Sequence, residues 1–303
     1  MIRRLEFYVV ELTIFAMPVL AAMANGATPR WPVVAEGMVM YFVLYSLGDM
    51  VNCMADRDLD SVYKTRLSRA AYRVGARRIG WIVAVETVAG VALAVHLSVV
   101  TGRWAILALV LAGVFLGLEY SLGPVHFKRR GLGHLACLWL LLYFLPVVCA
   151  GLLVAPFSMA NLVLAASYAT AGMGIILVNT SEDLVEDRAA GVRTTTVALG
   201  LVTTVRLAAV MVAIGGTVLC AYWAVTSVQR HVPPLGFAGV AALAAVCGAV
   251  LVRLVLLARR VRQLGADETA AMGLVKAAGR LVPIAATAVG WAGVGCALIT
   301  VTT

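Results

Sequence analysis

"MYFVLYSLGDMVNCMADRDLD", residues 40–60, runs from a continuous apolar segment straight into a string of carboxylates. The apolar window that feeds it, 33–53, has the ~20 residues a helix needs to cross a bilayer. Ionisable groups at the end of such a helix are costly in lipid, so they point to function. Working outward, the apolar window recurs at 5–24, 80–101, 104–122, 134–154, 160–181, 199–226, 235–258 and 281–301. The sequence therefore predicts an all-α polytopic membrane protein, one domain over 1–303 with nine transmembrane helices. Its 62% hydrophobic content supports this, because a soluble domain holds nearer ~45–50% even with Gly counted.

Lys and Arg concentrate in loops left on the cytoplasmic side. With the N-terminus inside, Arg3, Arg4 and the regions around the loops after the second, fourth, sixth and eighth helices hold 21 of 24 basic residues. Only Arg30, Arg103 and Arg230 fall outside. The expected topology is N-terminus in and C-terminus out, in a bacterial or archaeal plasma membrane. The net charge of +9 then reflects topology and attraction to anionic membrane lipid, and nucleic acid is not an expected partner. The first apolar segment follows "MIRR" and lacks a small-residue cleavage site, so it is expected to remain as the first helix. The six cysteines show no CxxC or metal spacing and read as small buried hydrophobes.

Asn52, Asp56 and Asp60 are four apart, and at ~100° per residue they drift only ~80° around a helix. Asp49 falls in the same arc, whereas Asp58 points away and is expected to be solvated. "NTSEDLVEDR", residues 179–188, repeats the spacing 127 residues later with Asn179, Asp183 and Asp187, again at the cytoplasmic end of a predicted helix. Two copies at one membrane depth predict two facing half-sites. Clustered carboxylates repel one another and take up protons unless a cation neutralises them. Mg2+ suits them, because it takes oxygen ligands and is held by one or two carboxylates together with substrate phosphates. The candidate catalytic and metal-holding residues are Asn52, Asp56, Asp60, Asp183 and Asp187. Glu182 and Glu186 are expected to face water or a basic neighbour. Basic residues stand close by: Lys64, Arg66 and Arg69, then Lys128, Arg129 and Arg130 in "HFKRR", then Arg188 and Arg193. Topology alone would place cations there, but acid for metal beside base for phosphate is the pattern of a diphosphate site.

Three stretches carry a resemblance to the UbiA superfamily of intramembrane prenyltransferases. "NCMADRDLD" resembles its first aspartate-rich motif, "EDLVEDRAAGVRTTTVALG" its second, and "YSLGPVHFKRRG" its Tyr-Ser-x-Pro-Pro-x-x-x-Lys loop. The chain departs at Cys53, where many members have Asp, and in lacking the Arg-Pro turn after the first motif. The resemblance implies a nine-helix bundle around a lipid-accessible cavity with a cytoplasmic cap. It implies Mg2+ held by Asp56, Asp60, Asp183 and Asp187 with Asn52 assisting, and an isoprenoid diphosphate as donor. An unidentified acceptor, aromatic or another small nucleophile, would then take the prenyl group. Lys64, Arg66, Lys128, Arg129 and Arg193 would stabilise the departing diphosphate.

Glu119 and Tyr120 precede the matched loop and, with Asn179, are candidate contacts for the acceptor or a carbocation. Glu11, Glu36 and Glu86 also lie in or near predicted helices, where a buried carboxylate needs a partner. The four histidines share no ligand spacing, which argues against zinc chemistry, and His126 is a candidate phosphate contact. "GLGHLACLW" and the Gly and Ala of the later helices read as close helix packing. The stretch 55–79 is expected to form a partly helical lid. A terpene cyclase, in which the donor's own double bonds capture the cation, would use the same acidic motifs. A cation transporter would instead need its carboxylates near the midplane.

Overall fold

The computed structural model describes residues 8–58, 65–265 and 267–303, with the side chains at 65–68, 70 and 235 outside the described set. Among the described residues the chain is helical and has no strand. The elements are α1 (Tyr8–Ala24), α2 (Trp31–Ala55), α3 (Thr65–Val74), α4 (Ala76–Thr101), α5 (Ala105–Ser121), α6 (Leu132–Val154), α7 (Met159–Thr180), α8 (Leu184–Ala189), α9 (Thr195–Leu199), α10 (Leu201–Gln229), α11 (Phe237–Leu264), α12 (Glu268–Gly279) and α13 (Val282–Thr302). Each of the nine predicted windows falls on one long helix. Seven of these helical stretches are long and apolar enough to cross a membrane. The described part of α1, and α5, are apolar but have 17 residues each, ~26 Å of rise against a hydrocarbon core of ~30 Å.

The outward faces are apolar, as lipid demands: Val88 on α4 is 70% exposed and Ile284 on α13 is 65% exposed. Helices α6 and α7 form the centre, with most of each buried. Small residues bring the inner helices together. A Cβ on Gly215 of α10 would lie 2.3 Å from the Ala171 backbone nitrogen of α7, so only glycine permits this approach. Helix α6 opens into a π-turn at Leu140–Phe144. Pro146 explains it, since it lacks an N–H and its ring crowds the carbonyl four residues earlier. The π-turn puts Leu141, Leu142 and Tyr143 on the wall of a central cavity.

The loops after α2, α5, α7 and α11 meet at one end of the bundle. The Lys128 ammonium donates to the Asp56 carboxylate, the Gly131 amide donates to the Arg193 carbonyl at 2.8 Å, and Arg188 pairs with Glu268 at 2.8 Å. The expected lid holds α3, whose Ala71 packs on Met50 and Ile79. Helix α12 was not legible in the basic stretch before α13. It starts where the Asp267 side chain accepts the Ala270 amide at 2.9 Å, an N-cap that supplies one of the partners a helix start needs.

Candidate active site

The cavity enclosed by α1, α2, α5, α6 and α7 has a volume of about 990 Å³. Asn52 and Asp56 of the first motif line it, and so do Asn179, Asp183 and Asp187 of the second. The two acidic sets therefore face one space. Below them the wall is apolar, with Met40, Leu44, Val110, Leu138, Leu142, Leu153 and Ile176 among its residues.

The first set sits where α2 ends. Tyr41, Tyr45, Asp49, Asn52 and Asp56 follow one another at spacings of three and four, one stripe of a helix, and all five line the cavity. Asp56 is the C-cap of α2, and its carboxylate accepts from Lys128. Asn52 Oδ1 accepts from the Ser121 hydroxyl at 3.0 Å, which fixes the amide and leaves its oxygen oriented. Asp58 is 76% exposed at its side chain and pairs with Tyr72 and Arg57; it does not line the cavity, and it lies beyond the end of α2 rather than on its far face. Asp60 and Lys64 lie outside the described residues, as does the side chain of Arg66.

The second set does not ride on one continuous helix. After α7 the backbone tightens into a 3-10 turn at Ser181–Asp183 and restarts as α8. The Ser181 hydroxyl donates to the Leu177 carbonyl at 2.7 Å and lies 3.0 Å from the Thr196 hydroxyl, which ties the turn to α9. Asp187 is buried, 3% exposed, and its Oδ2 accepts the Thr194 hydroxyl at 3.0 Å. Asn179 is engaged by Glu182, whose Oε1 accepts its amide at 3.1 Å. Glu182, expected to face water or a basic neighbour, lines the cavity from the 3-10 turn.

Of the predicted cations, Lys128 lines the cavity. A 3-10 turn at Phe127–Arg129 carries it, entered through His126 in the left-handed region at φ 51°. Arg129 and Arg193 are exposed and do not line the cavity, although each is next in the chain to a residue that does, Lys128 and Thr194. His126 does not line it either, and partial burial with Arg129 and Lys128 nearby holds its imidazole below the ordinary range. Tyr120 does line it, with its hydroxyl 3.0 Å from His134 Nε2. Glu119 does not: its carboxylate turns back to accept the Val125 amide at 2.9 Å and so braces the loop that presents Lys128.

Sequence reading singled out Glu11 as a helix carboxylate in need of a partner but not the polar group it belongs to, deeper in the cavity. Glu11, Tyr41, Tyr45 and Tyr143 line it, and the Tyr41 hydroxyl donates to the Glu11 carboxylate. The three-and-four spacing back from Asn52 to Tyr41 was a signal available in the sequence. The partnership with Glu11, thirty positions away, was not.

Among the described residues no three His, Cys, Asp or Glu side chains close on a common metal position. The residues of the two acidic motifs that line the cavity, Asn52, Asp56, Asn179, Asp183 and Asp187, all offer oxygen donors. Such an open set fits a hard cation that draws the rest of its shell from phosphate and water.

A model of the UbiA prenyltransferase family matches residues 12–266. The fold is shared with a UbiA homolog from Archaeoglobus fulgidus bound to GPP and Mg2+, at 15% identity and a TM-score of 0.59, over 92% of this chain and 96% of that one. It is shared also with a digeranylgeranylglyceryl phosphate synthase, at 12% identity and a TM-score of 0.61 over 97% of both chains. A UbiA homolog from Aeropyrum pernix K1 matches at 18% identity and a TM-score of 0.54, over 91% of this chain and 97% of that one. No curated protein sequence matches the chain.

Proposed function

Because the chain belongs to the UbiA prenyltransferase family, we propose that it is a Mg2+-dependent intramembrane enzyme that ionises an isoprenoid diphosphate and passes the prenyl group to an acceptor. The observation that carries this reading is that Asn52, Asp56, Asp183 and Asp187 share one cavity with Lys128 and a long apolar interior. Those four residues would hold Mg2+, joined by Asp60. When bound, Mg2+ supplies neutralising charge to the departing diphosphate.

The chain's own groups do the rest. Lys128, paired with Asp56, has three N–H donors and can turn one to a diphosphate oxygen. Arg129 and Arg193, each beside a cavity-lining residue, with Lys64 and Arg66 from the adjoining stretch, make this end attractive to an anion. Ser121 and Thr194 hold Asn52 and Asp187 in place before substrate arrives, which removes reorganisation from the reaction step. The apolar wall keeps water from an allylic cation that water would otherwise quench. Tyr120 and Asn179 are the contacts we assign to the acceptor or the cation at this end. The membrane arrangement we propose is nine spans with the acidic end cytoplasmic, the N-terminus in and the C-terminus out.

A terpene cyclase is the second reading, favoured by the rings of Phe15, Tyr41, Tyr45 and Tyr143 on the cavity wall, which could shelter a migrating cation. Product analysis separates the two. Purified protein is given labelled prenyl diphosphates with and without membrane extract. Transfer predicts a prenylated product only when extract is present. A cyclic hydrocarbon or alcohol from donor alone means a cyclase, and no Mg2+-dependent diphosphate release in any mixture removes both readings.

The same assay checks which carboxylates of the first motif act. Asp58→Ala should leave diphosphate release within about twofold of the parent, because an exposed ion pair contributes little, ~0.2–1 kcal/mol. A loss as large as that of Asp56→Ala would contradict the assignment.

A further inference from the structure

A buried carboxylate on α1 has no part in the metal and diphosphate chemistry. Glu11 is 5% exposed, lies on a helix of apolar residues, and still lines the cavity. Two phenols from α2 attend it: Tyr41 donates its hydroxyl, and Tyr45, one turn along the same helix, lines the same wall of the cavity. A carboxyl group that accepts one phenol O–H still has lone pairs to spare, which leaves acceptor capacity for a group inside the cavity. The π-turn of α6 brings Tyr143 to the same region, and Gly172 makes that possible, since a Cβ there would lie 2.5 Å from the Tyr143 ring. A carboxylate buried among apolar residues, with a phenol turned to it in a cavity, is more than packing requires.

Position along α2 separates this group from the metal-holding end. Tyr45 lies eleven residues before Asp56, ~16 Å of helix rise at 1.5 Å per residue. Asp49 and Asn52 fill the stripe between them. A donor whose diphosphate is held at Asp56 therefore points its first carbons toward Glu11. Lys128 is the one Lys or Arg among the described residues lining the cavity, and it is committed to the Asp56 end. Among the described residues an acceptor carboxylate would find no Lys or Arg beside Glu11 on the cavity wall, and the Tyr41 phenol is already turned to Glu11.

We propose that Glu11, with Tyr41 and Tyr45, is the acceptor subsite, and that the acceptor is an uncharged hydroxyl-bearing molecule that donates its O–H to Glu11; carboxylated acceptors are rejected there. Glu11 is thus a specificity-determining residue. The inference rests on the prenyl-transfer reading and deepens it.

The test is isothermal titration of the full-length protein in detergent with Mg2+ and inorganic pyrophosphate present, using hydroquinone and its carboxylated counterpart 2,5-dihydroxybenzoate as probes. The expected result is a preference for hydroquinone of about tenfold or more. Glu11→Gln, whose amide N–H can meet a carboxylate, should reduce that preference by about tenfold and leave the Mg2+-pyrophosphate constant unchanged. Where Glu11→Gln does not fold, Tyr41→Phe decides: by freeing one carboxylate oxygen it should change hydroquinone affinity at least about threefold, again with pyrophosphate unmoved. Equal binding of the two probes, no hydroquinone binding, or a preference unaffected by these variants overturns the proposal. Failure of Mg2+ and pyrophosphate to bind the parent protein would instead remove the prenyl-transfer reading, whatever the probes do.

Discussion

Replacing Asp56 or Asp183 by alanine is expected to lower Mg2+-dependent release of diphosphate from a prenyl diphosphate by about 10²–10³-fold, the loss typical of removing one preorganised electrostatic contact. The two residues stand 127 positions apart and share no element, yet both line one cavity. The variants should differ in stability. Asp56 and Lys128 are mostly buried, with side chains 19% and 13% exposed, so Asp56→Ala leaves an ammonium in a poorly solvated place without its partner. Asp183→Ala relieves repulsion on the neighbouring Asp187 carboxylate and should destabilise less than Asp56→Ala. Asp56→Asn, which keeps an acceptor for Lys128, should recover stability without recovering activity. Activity near the parent level in either alanine variant would count against a shared metal and diphosphate site.

The second large effect concerns the frame that holds those acids. Gly215→Ala adds one methyl where α10 meets α7, 2.3 Å from the Ala171 nitrogen and 2.7 Å from the Ser167 carbonyl. Both neighbours are backbone, so no side chain can swing aside and the helices must separate. Overpacking typically costs ~1–3 kcal/mol and occasionally more, and this site belongs at the upper end. Helix α7 leads directly into the turn bearing Asp183, so the variant should lose both thermal stability and diphosphate release. Gly248→Ala on α11, where an added Cβ meets nothing within 4 Å, is the matched control and should behave as the parent. Equal melting temperatures for the two variants would show that the α7–α10 contact is looser than described.

The helices were legible because lipid enforces a simple rule: every backbone polar group must be satisfied within its own segment, so apolar length reads almost directly as helix. The short elements were not, because α12 and the turn at Ser181–Asp183 depend on single caps and side-chain bonds such as Asp267 to Ala270. For the acidic sets, spacing in the sequence put Asn52 and Asp56 on one face, and their meeting with Asp183 and Asp187 follows from the return of α7 beside α2 across the cavity. Charge alone could not sort the basic residues. Topology places Lys128, Arg129 and Arg193 at the same end, and only the local turn after His126 turns Lys128 inward. Glu119 and Glu11 show the converse. Neighbouring motifs favoured Glu119, yet it braces a loop, while Glu11 gained its place from a tyrosine on another helix.

The central claim is that both acidic motifs together hold Mg2+ and one diphosphate in a single shared site. Electron paramagnetic resonance of Mn2+, substituted for Mg2+ and titrated in the presence of pyrophosphate, tests it most directly. Asp56→Ala, Asp183→Ala and the double variant would be compared with the parent. A single shared site predicts that each single change abolishes pyrophosphate-dependent Mn2+ binding as fully as the double, since the two residues act as a unit. Losses that simply add, each single variant keeping its own tightly bound Mn2+, would contradict it.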